Sequence, residues 1–228
     1  MKKPKKPAGV ILYRGPSLLD PSTEVVLIAT FKSSNRKTGD MIQTWIIETG
    51  RRPTDARHDV ATCGDCPVKP FCYVNQGQAP QKIFNAFVKG NYPIYTPELH
   101  APLFHGREMR KGADGDPAAI PAHVWRIVDE LIHKSTSYTH QWETLQDVEY
   151  WQGRTMASIS NEFEKERANA AGFMTFRIVH DYAEKLHDEI ICPADSKKKK
   201  TCINCMFCSG KHTNVVIKVH GSKKRKFK

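Results

Sequence analysis

Apolar residues in this chain come in short runs, and the period of those runs changes near the middle. Val10-Ile11-Leu12-Tyr13, Val25-Val26-Leu27-Ile28-Ala29 and Gln43-Thr44-Trp45-Ile46-Ile47 are compact and rich in β-branched and aromatic side chains, which predicts three strands. Gly15-Pro16 and Asp20-Pro21 supply turns between the first two, so the opening reads as a small meander. From Pro80 to Lys89 the period becomes helical, with Ile83, Phe84 and Phe87 on one face, Pro80 in the first turn and Gly90 as the stop. Residues 91–117 carry no sustained period and read as loop. Ile120, Val124, Ile127, Val128 and Leu131 then predict the longest helix, from about Pro117 to Lys134.

The remaining segments alternate. Ser137 to Trp142 and Thr155 to Ile159 predict strands, and Asn161 to Ala171 a helix ended by Gly172. Phe173 to Val179 and Asn214 to Gly221 predict strands again. Helix, strand, strand, helix, strand is the rhythm of a parallel α/β layout. With six to eight strands and few helices, the pattern fits a small or incomplete TIM-like barrel better than a complete eight-fold one. The chain is expected to divide into a basic disordered tail at 1–8, one α/β barrel-like domain at 9–221 and a second basic tail at 222–228.

Charge changes this picture less than its total suggests. The formal net charge is +11, but residues 1–6, 197–200 and 223–228 supply 13 Lys and Arg without one acid. The rest holds 22 basic against 24 acidic residues and is close to neutral. Weak nucleic-acid contact is therefore expected from the tails and one loop, not from the folded body. No apolar run approaches the ~18 residues that span a bilayer, and no apolar signal segment follows the basic start. No membrane partner and a cytoplasmic location are expected.

The chemistry lies in seven cysteines, all in two clusters. Cys63, Cys66 and Cys72 form a C-x2-C-x5-C group. Cys192, Cys202, Cys205 and Cys208 form a C-x9-C-x2-C-x2-C group. In a cytoplasmic chain such grouping points to metal rather than to disulfides. Thiolates on short loops suit one metal or cluster. The second group could complete tetrahedral zinc, or all four corners of a 4Fe-4S cluster whose bacterial form also uses C-x2-C spacings and a neighbouring proline. The first group supplies three ligands. That leaves an open iron in a cluster, or requires a fourth ligand for zinc, for which His58 is near in sequence. A single cluster shared by both groups is a further arrangement.

Other residues have two readings. Asp114 and Asp116 follow Arg110 in a Gly-rich segment; either could meet a substrate amine or a cluster, while Asp116 before Pro117 also suits an N-cap. His140, after a predicted strand, is a candidate ligand or acid/base group. Tyr138 and Trp142 could stack on a base or fill the core. Arg177 inside an apolar strand calls for an anion: a carboxylate, a cluster sulfide or a ligand. Met156 reads as core. No Ser/His/Asp signature, phosphate-binding Gly loop or dinucleotide fingerprint is present.

Two resemblances add to this. Pro70-Phe71-Cys72 is similar to the aromatic residue before the last cluster cysteine of radical-SAM enzymes, although those use C-x3-C-x2-C. Further landmarks resemble an uncharacterised bacteriophage and prophage family related to the phage gene-88-like group. They are Cys63-Gly-Asp-Cys66-Pro, Gly115-Asp116-Pro117, Tyr138-Thr139-His140-Gln141-Trp142, Met156-Ala157-Ser158, Phe176-Arg177, Ile191-Cys192-Pro193, Cys202 to Cys208 and His220-Gly221. The resemblance implies a phage origin, hence the host cytoplasm, and a radical-SAM-like barrel with one or two 4Fe-4S clusters. SAM is the cofactor and an electron donor the partner that it brings with it. It implies no particular reaction. The expected function is that of an iron–sulfur protein, either a redox or radical enzyme or a cluster-carrying accessory. The competing class is a zinc-binding module that contacts nucleic acid without catalysis.

Overall fold

The computed structural model describes residues 6–55, 60–196, 200–221 and 223–227. Among the described residues ten strands form two five-stranded sheets. They are β1 Gly9–Pro16, β2 Glu24–Thr30, β3 Ile42–Glu48, β4 Glu108–Asp114, β5 Lys134–Thr136, β6 Tyr138–Thr139, β7 Met156–Ile159, β8 Thr175–Val179, β9 Glu189–Ile191 and β10 Asn214–Lys218. The first sheet has the order β1-β2-β3-β4-β5 and the second β6-β7-β8-β10-β9. Only the β1–β2 and β2–β3 pairs are antiparallel; from β3 onward every pair is parallel.

Residues 134–139 join the sheets. Arg110 on β4 pairs with Thr136, and two residues later Tyr138 pairs with Met156 on β7. Ser137, between them, accepts from the Met156 amide at 2.9 Å. One extended segment thus passes from one sheet to the next. The parallel α/β expectation holds in this coarser form: a mixed α/β protein with two five-stranded sheets.

The period-2 pattern places the core on both faces of the first sheet. Val25, Leu27 and Ala29 of β2 pack with Ile42 and Ile46 of β3 and with Trp125 and Val128 of the helix Ala122–Asp129. Val26 and Ile28 face the other way and meet Ile47, Phe84 and Tyr92, so the helix Ala79–Val88 covers that side. Both faces buried is what a near-continuous apolar run in a central strand requires. Trp142 and Met156 are buried, as their core readings expected. No helix among the described residues is long and apolar enough to cross a membrane.

The structure departs from the sequence reading in three places. The segment read as loop at 91–117 contains β4, whose Lys111 is fully buried and whose Gly112 has φ +65°. The long helix is a 3-10 turn, Pro117–Ala119, followed by the shorter helix Ala122–Asp129, because the chain returns to a strand at Lys134. The short edge strand β9 was not anticipated. The tail at 222–228 is in part docked: the Phe227 ring meets Phe71 at 4.8 Å and His180 at 4.5 Å. The tail at 1–5, Lys197–Lys199 and the candidate zinc ligand His58 lie outside the described residues.

Candidate metal centre

The carboxyl ends of parallel strands are where an α/β sheet exposes its connecting loops, and ligand sites gather there. Here those ends surround a cavity of about 500 Å³. Asp114 closes β4, His140 follows β6, Ser160 follows β7, Cys192 follows β9 and His220 follows β10; all five line it. Its floor is one face of the second sheet, including Tyr138, Phe176, Ile178, Val215 and Ile217. All seven cysteines line the same cavity and none is in a disulfide.

The first group is held from its carbonyls. A one-turn helix, Val60–Cys63, presents the Thr62 carbonyl to the Asp116 amide at 2.6 Å, and Gln141 Nε2 donates to the Cys63 carbonyl at 3.3 Å. Gly115 makes this approach possible. Its φ is +81°, and a Cβ there would stand 2.6 Å from Ile46 Cβ. A 3-10 turn, Lys69–Phe71, carries the chain to Cys72.

The second group comes from the opposite rim. Cys192 donates its amide to Val216 at 2.9 Å, as an extension of β9. Cys202 and Ile203 donate to the Lys37 and Thr38 carbonyls of the β2–β3 connection. Cys202 to Cys205 form one helical turn, Met206 reverses it at φ 55°, and Cys208 turns inward beside Met156 and Val215.

Desolvation dominates the thiols. Burial raises Cys63 well above the usual thiol value, Cys66 to about 11, and Cys72, Cys192, Cys202 and Cys208 in the same direction. Neighbouring thiols add to this, chiefly within each group: Cys66 on Cys63, and Cys192, Cys202 and Cys205 on Cys208. These six raised values favour the neutral thiol, and a metal must displace their protons to bind. Among the described residues no three Cys, His, Asp or Glu side chains are drawn together as a cage for a single ion.

The other expected site residues separate into two sets. Asp116 caps the 3-10 turn through the Ala118 amide at 3.0 Å and also accepts from the His140 amide at 2.9 Å, so it ties two cavity loops together. Burial raises Asp114 and Asp116 to about 6. Tyr138 meets Phe176 edge to face at 4.8 Å on the cavity floor. Arg177 points to the other face and pairs with buried Glu189 at 2.7 Å; of its three expected anions, the carboxylate is the one present. Sequence reasoning missed Tyr73 and Gln76, and it weighed Arg110 only as part of a loop; all three line the cavity.

The His140 ring lines the cavity, and burial lowers its pKa to about 4. An unfolded histidine titrates near 6.5, so this contribution to stability is complete above that pH and is lost as pH falls from about 6.5 to 4, by up to about 3 kcal/mol. Asp114 and Asp116 act oppositely over the carboxylate range, because their raised values favour the folded state as pH falls. The difference between wild type and His140→Asn isolates the histidine. Urea unfolding between pH 7.5 and 4.5 should show the variant losing less stability than wild type; equal losses would mean that His140 stays hydrated.

No family model matches the chain, and no curated protein or solved structure gave a significant match.

Proposed function

We propose that this chain is an iron–sulfur protein whose cavity holds one or two 4Fe-4S clusters, on a radical-SAM-like incomplete barrel. The observation that carries the reading is the convergence of seven unpaired thiols, from loops more than a hundred residues apart, on one cavity at the carboxyl ends of parallel strands. A cavity lined by soft sulfur donors and apolar side chains suits iron–sulfur chemistry, since exclusion of water and sulfur ligation both tune such clusters.

Cys192, Cys202, Cys205 and Cys208 would hold a closed cluster. Cys63, Cys66 and Cys72 would hold one with a ligand-accessible iron, and such a centre supplies one-electron chemistry when bound. The chain's own groups shape what can happen there. His140 lines the cavity and burial holds its ring neutral, as a hydrogen-bonding group rather than a strong base. Asp116 fixes the loop that carries His140. The resemblance to phage proteins supports the same reading and extends it to a redox or radical reaction of unknown substrate, served by an external electron donor and, on the radical-SAM likeness, by SAM.

Purification without oxygen, with iron, sulfide and zinc quantified, tests this. A brown protein containing iron and sulfide in similar amounts is expected. A colourless protein with stoichiometric zinc and no sulfide would end the iron–sulfur reading. It would favour the nucleic-acid-contacting zinc module instead, with Lys223 to Lys226 beside the cavity rim as its contact.

A further inference from the structure

Among the described residues Arg110 is the one arginine that lines the cavity. It stands on β4 opposite Thr136, half-buried, and a cationic guanidinium taken out of water calls for an anion. Among the described residues no carboxylate is ion-paired with it, and its electrostatic neighbours include Asp114 and the thiols of Cys72 and Cys202. Its Nη2 donates to the Tyr73 hydroxyl at 2.6 Å. Its Nε is enclosed without a partner, and Nη1 has no partner among the described residues and is not shut off from the cavity.

Both nearby carboxylates are engaged elsewhere. Asp114 accepts from Gln76 Nε2 at 2.9 Å and from the Gly115 amide. Asp116 accepts from the Ala118 and His140 amides. Neither reaches Arg110 as an ion pair. The contrast with Arg177 is direct, since that arginine has both Nε and Nη2 on Glu189. The Arg110 head is also held in place: Tyr73 stacks on His220 at 5.4 Å, and His220 Nδ1 lies 3.1 Å from the Lys218 carbonyl. A second cavity-lining group, Gln76, likewise has an enclosed atom without a partner, Oε1.

We propose that Arg110 is an oxyanion-binding residue of the cavity, holding the carboxylate or phosphate of a small-molecule ligand between the two cysteine groups. Guanidinium is the side chain best matched to those groups, and about 500 Å³ is the scale of a small-molecule pocket. Lys200, also in the cavity lining, favours entry of an anion, while Lys37 in the same lining is paired with Asp195 at 3.6 Å. The inference rests on the cavity and its unused donors, and not on the nature of the metal centre.

The test is titration of inorganic phosphate and of acetate into the anaerobically purified full chain, followed by calorimetry, with wild type, Arg110→Gln and Arg110→Lys compared. Wild type should bind one of the two anions saturably, and the preferred one assigns the ligand to phosphate or carboxylate chemistry. Arg110→Gln should weaken that binding by about tenfold or more, with Arg110→Lys in between. Circular dichroism of both variants checks the fold, and Arg110→Lys keeps the test alive if the glutamine variant does not fold. Absence of saturable binding to wild type, or equal binding to Arg110→Gln, overturns the proposal. So does unchanged anion binding accompanied by a shifted visible spectrum or reduction potential, which would make Arg110 a counter-cation of the centre. A colourless protein with Arg110-dependent anion binding would remove the iron–sulfur reading and leave this one standing.

Discussion

Cys208→Ala should cost the protein stability as well as metal, whereas Cys66→Ala should cost mainly metal. Cys208 is buried against Met156 and Val215, and Tyr138 hydrogen-bonds to it. Removing its sulfur leaves a small void worth roughly 1 kcal/mol before any metal is considered. If the second group holds a closed centre, loss of one ligand also removes the stabilisation that metal binding confers on the loop from Cys192 to Cys208. Cys66 is only partly buried, on a loop whose backbone is fixed through Thr62 and Cys63. Its replacement should leave the unfolding midpoint nearly unchanged and abolish any signal that responds to added ligand. Paramagnetic resonance of the reduced variants, with iron counts, separates the cases. Loss of one and the same signal in both would mean that the two groups share a cluster. A signal in wild type that SAM leaves unperturbed would confine the radical-SAM likeness to the fold.

Asp129→Ala should destabilise the protein by about 3–5 kcal/mol. Lys111 is fully buried on β4, and its ammonium lies 2.7 Å from Asp129 Oδ1 and 3.3 Å from the Tyr150 hydroxyl. Tyr150 also donates to Asp129 at 2.7 Å. Burial lowers the Lys111 pKa and Asp129 opposes that shift, so the carboxylate is what makes a charge tolerable there. Lys111→Met should cost less. It leaves Asp129 partly exposed, still bonded to Tyr150 and 3.9 Å from Arg154, while a methionine fits the apolar surroundings of Trp125. Urea unfolding of the two variants measures the asymmetry. A cost below about 1 kcal/mol for Asp129→Ala would mean that Lys111 sheds its proton or finds water.

The same residues explain what could be read in advance. Strand β2 was legible because Val25 to Ala29 are apolar on both faces and both faces are covered. Strand β4 was not, because Glu-Met-Arg-Lys-Gly-Ala-Asp hides a buried lysine and a left-handed glycine that only Asp129 and the following turn make acceptable. The cysteines were legible as two metal-type groups from spacing alone. That they face one cavity depends on sheet order, which sets β10 beside β8 and β9 beyond β10, and is invisible to local pattern. Arg110 could have been suspected from its polarity amid Met109, Gly112 and Ala113. Its lack of a counter-ion emerges only when the engagements of Asp114 and Asp116 are known.

The segment at 134–139 leaves the molecule without a seam. A fragment ending before Lys134 would bare the parallel edge of β4, and one starting after Thr139 would bare that of β7. Raw edges of this kind recruit strands from other chains. The two halves should therefore aggregate when produced separately, even though each contains a complete cysteine group. Partial metal loading of isolated pieces is a poor substitute for mutating ligands within the intact chain.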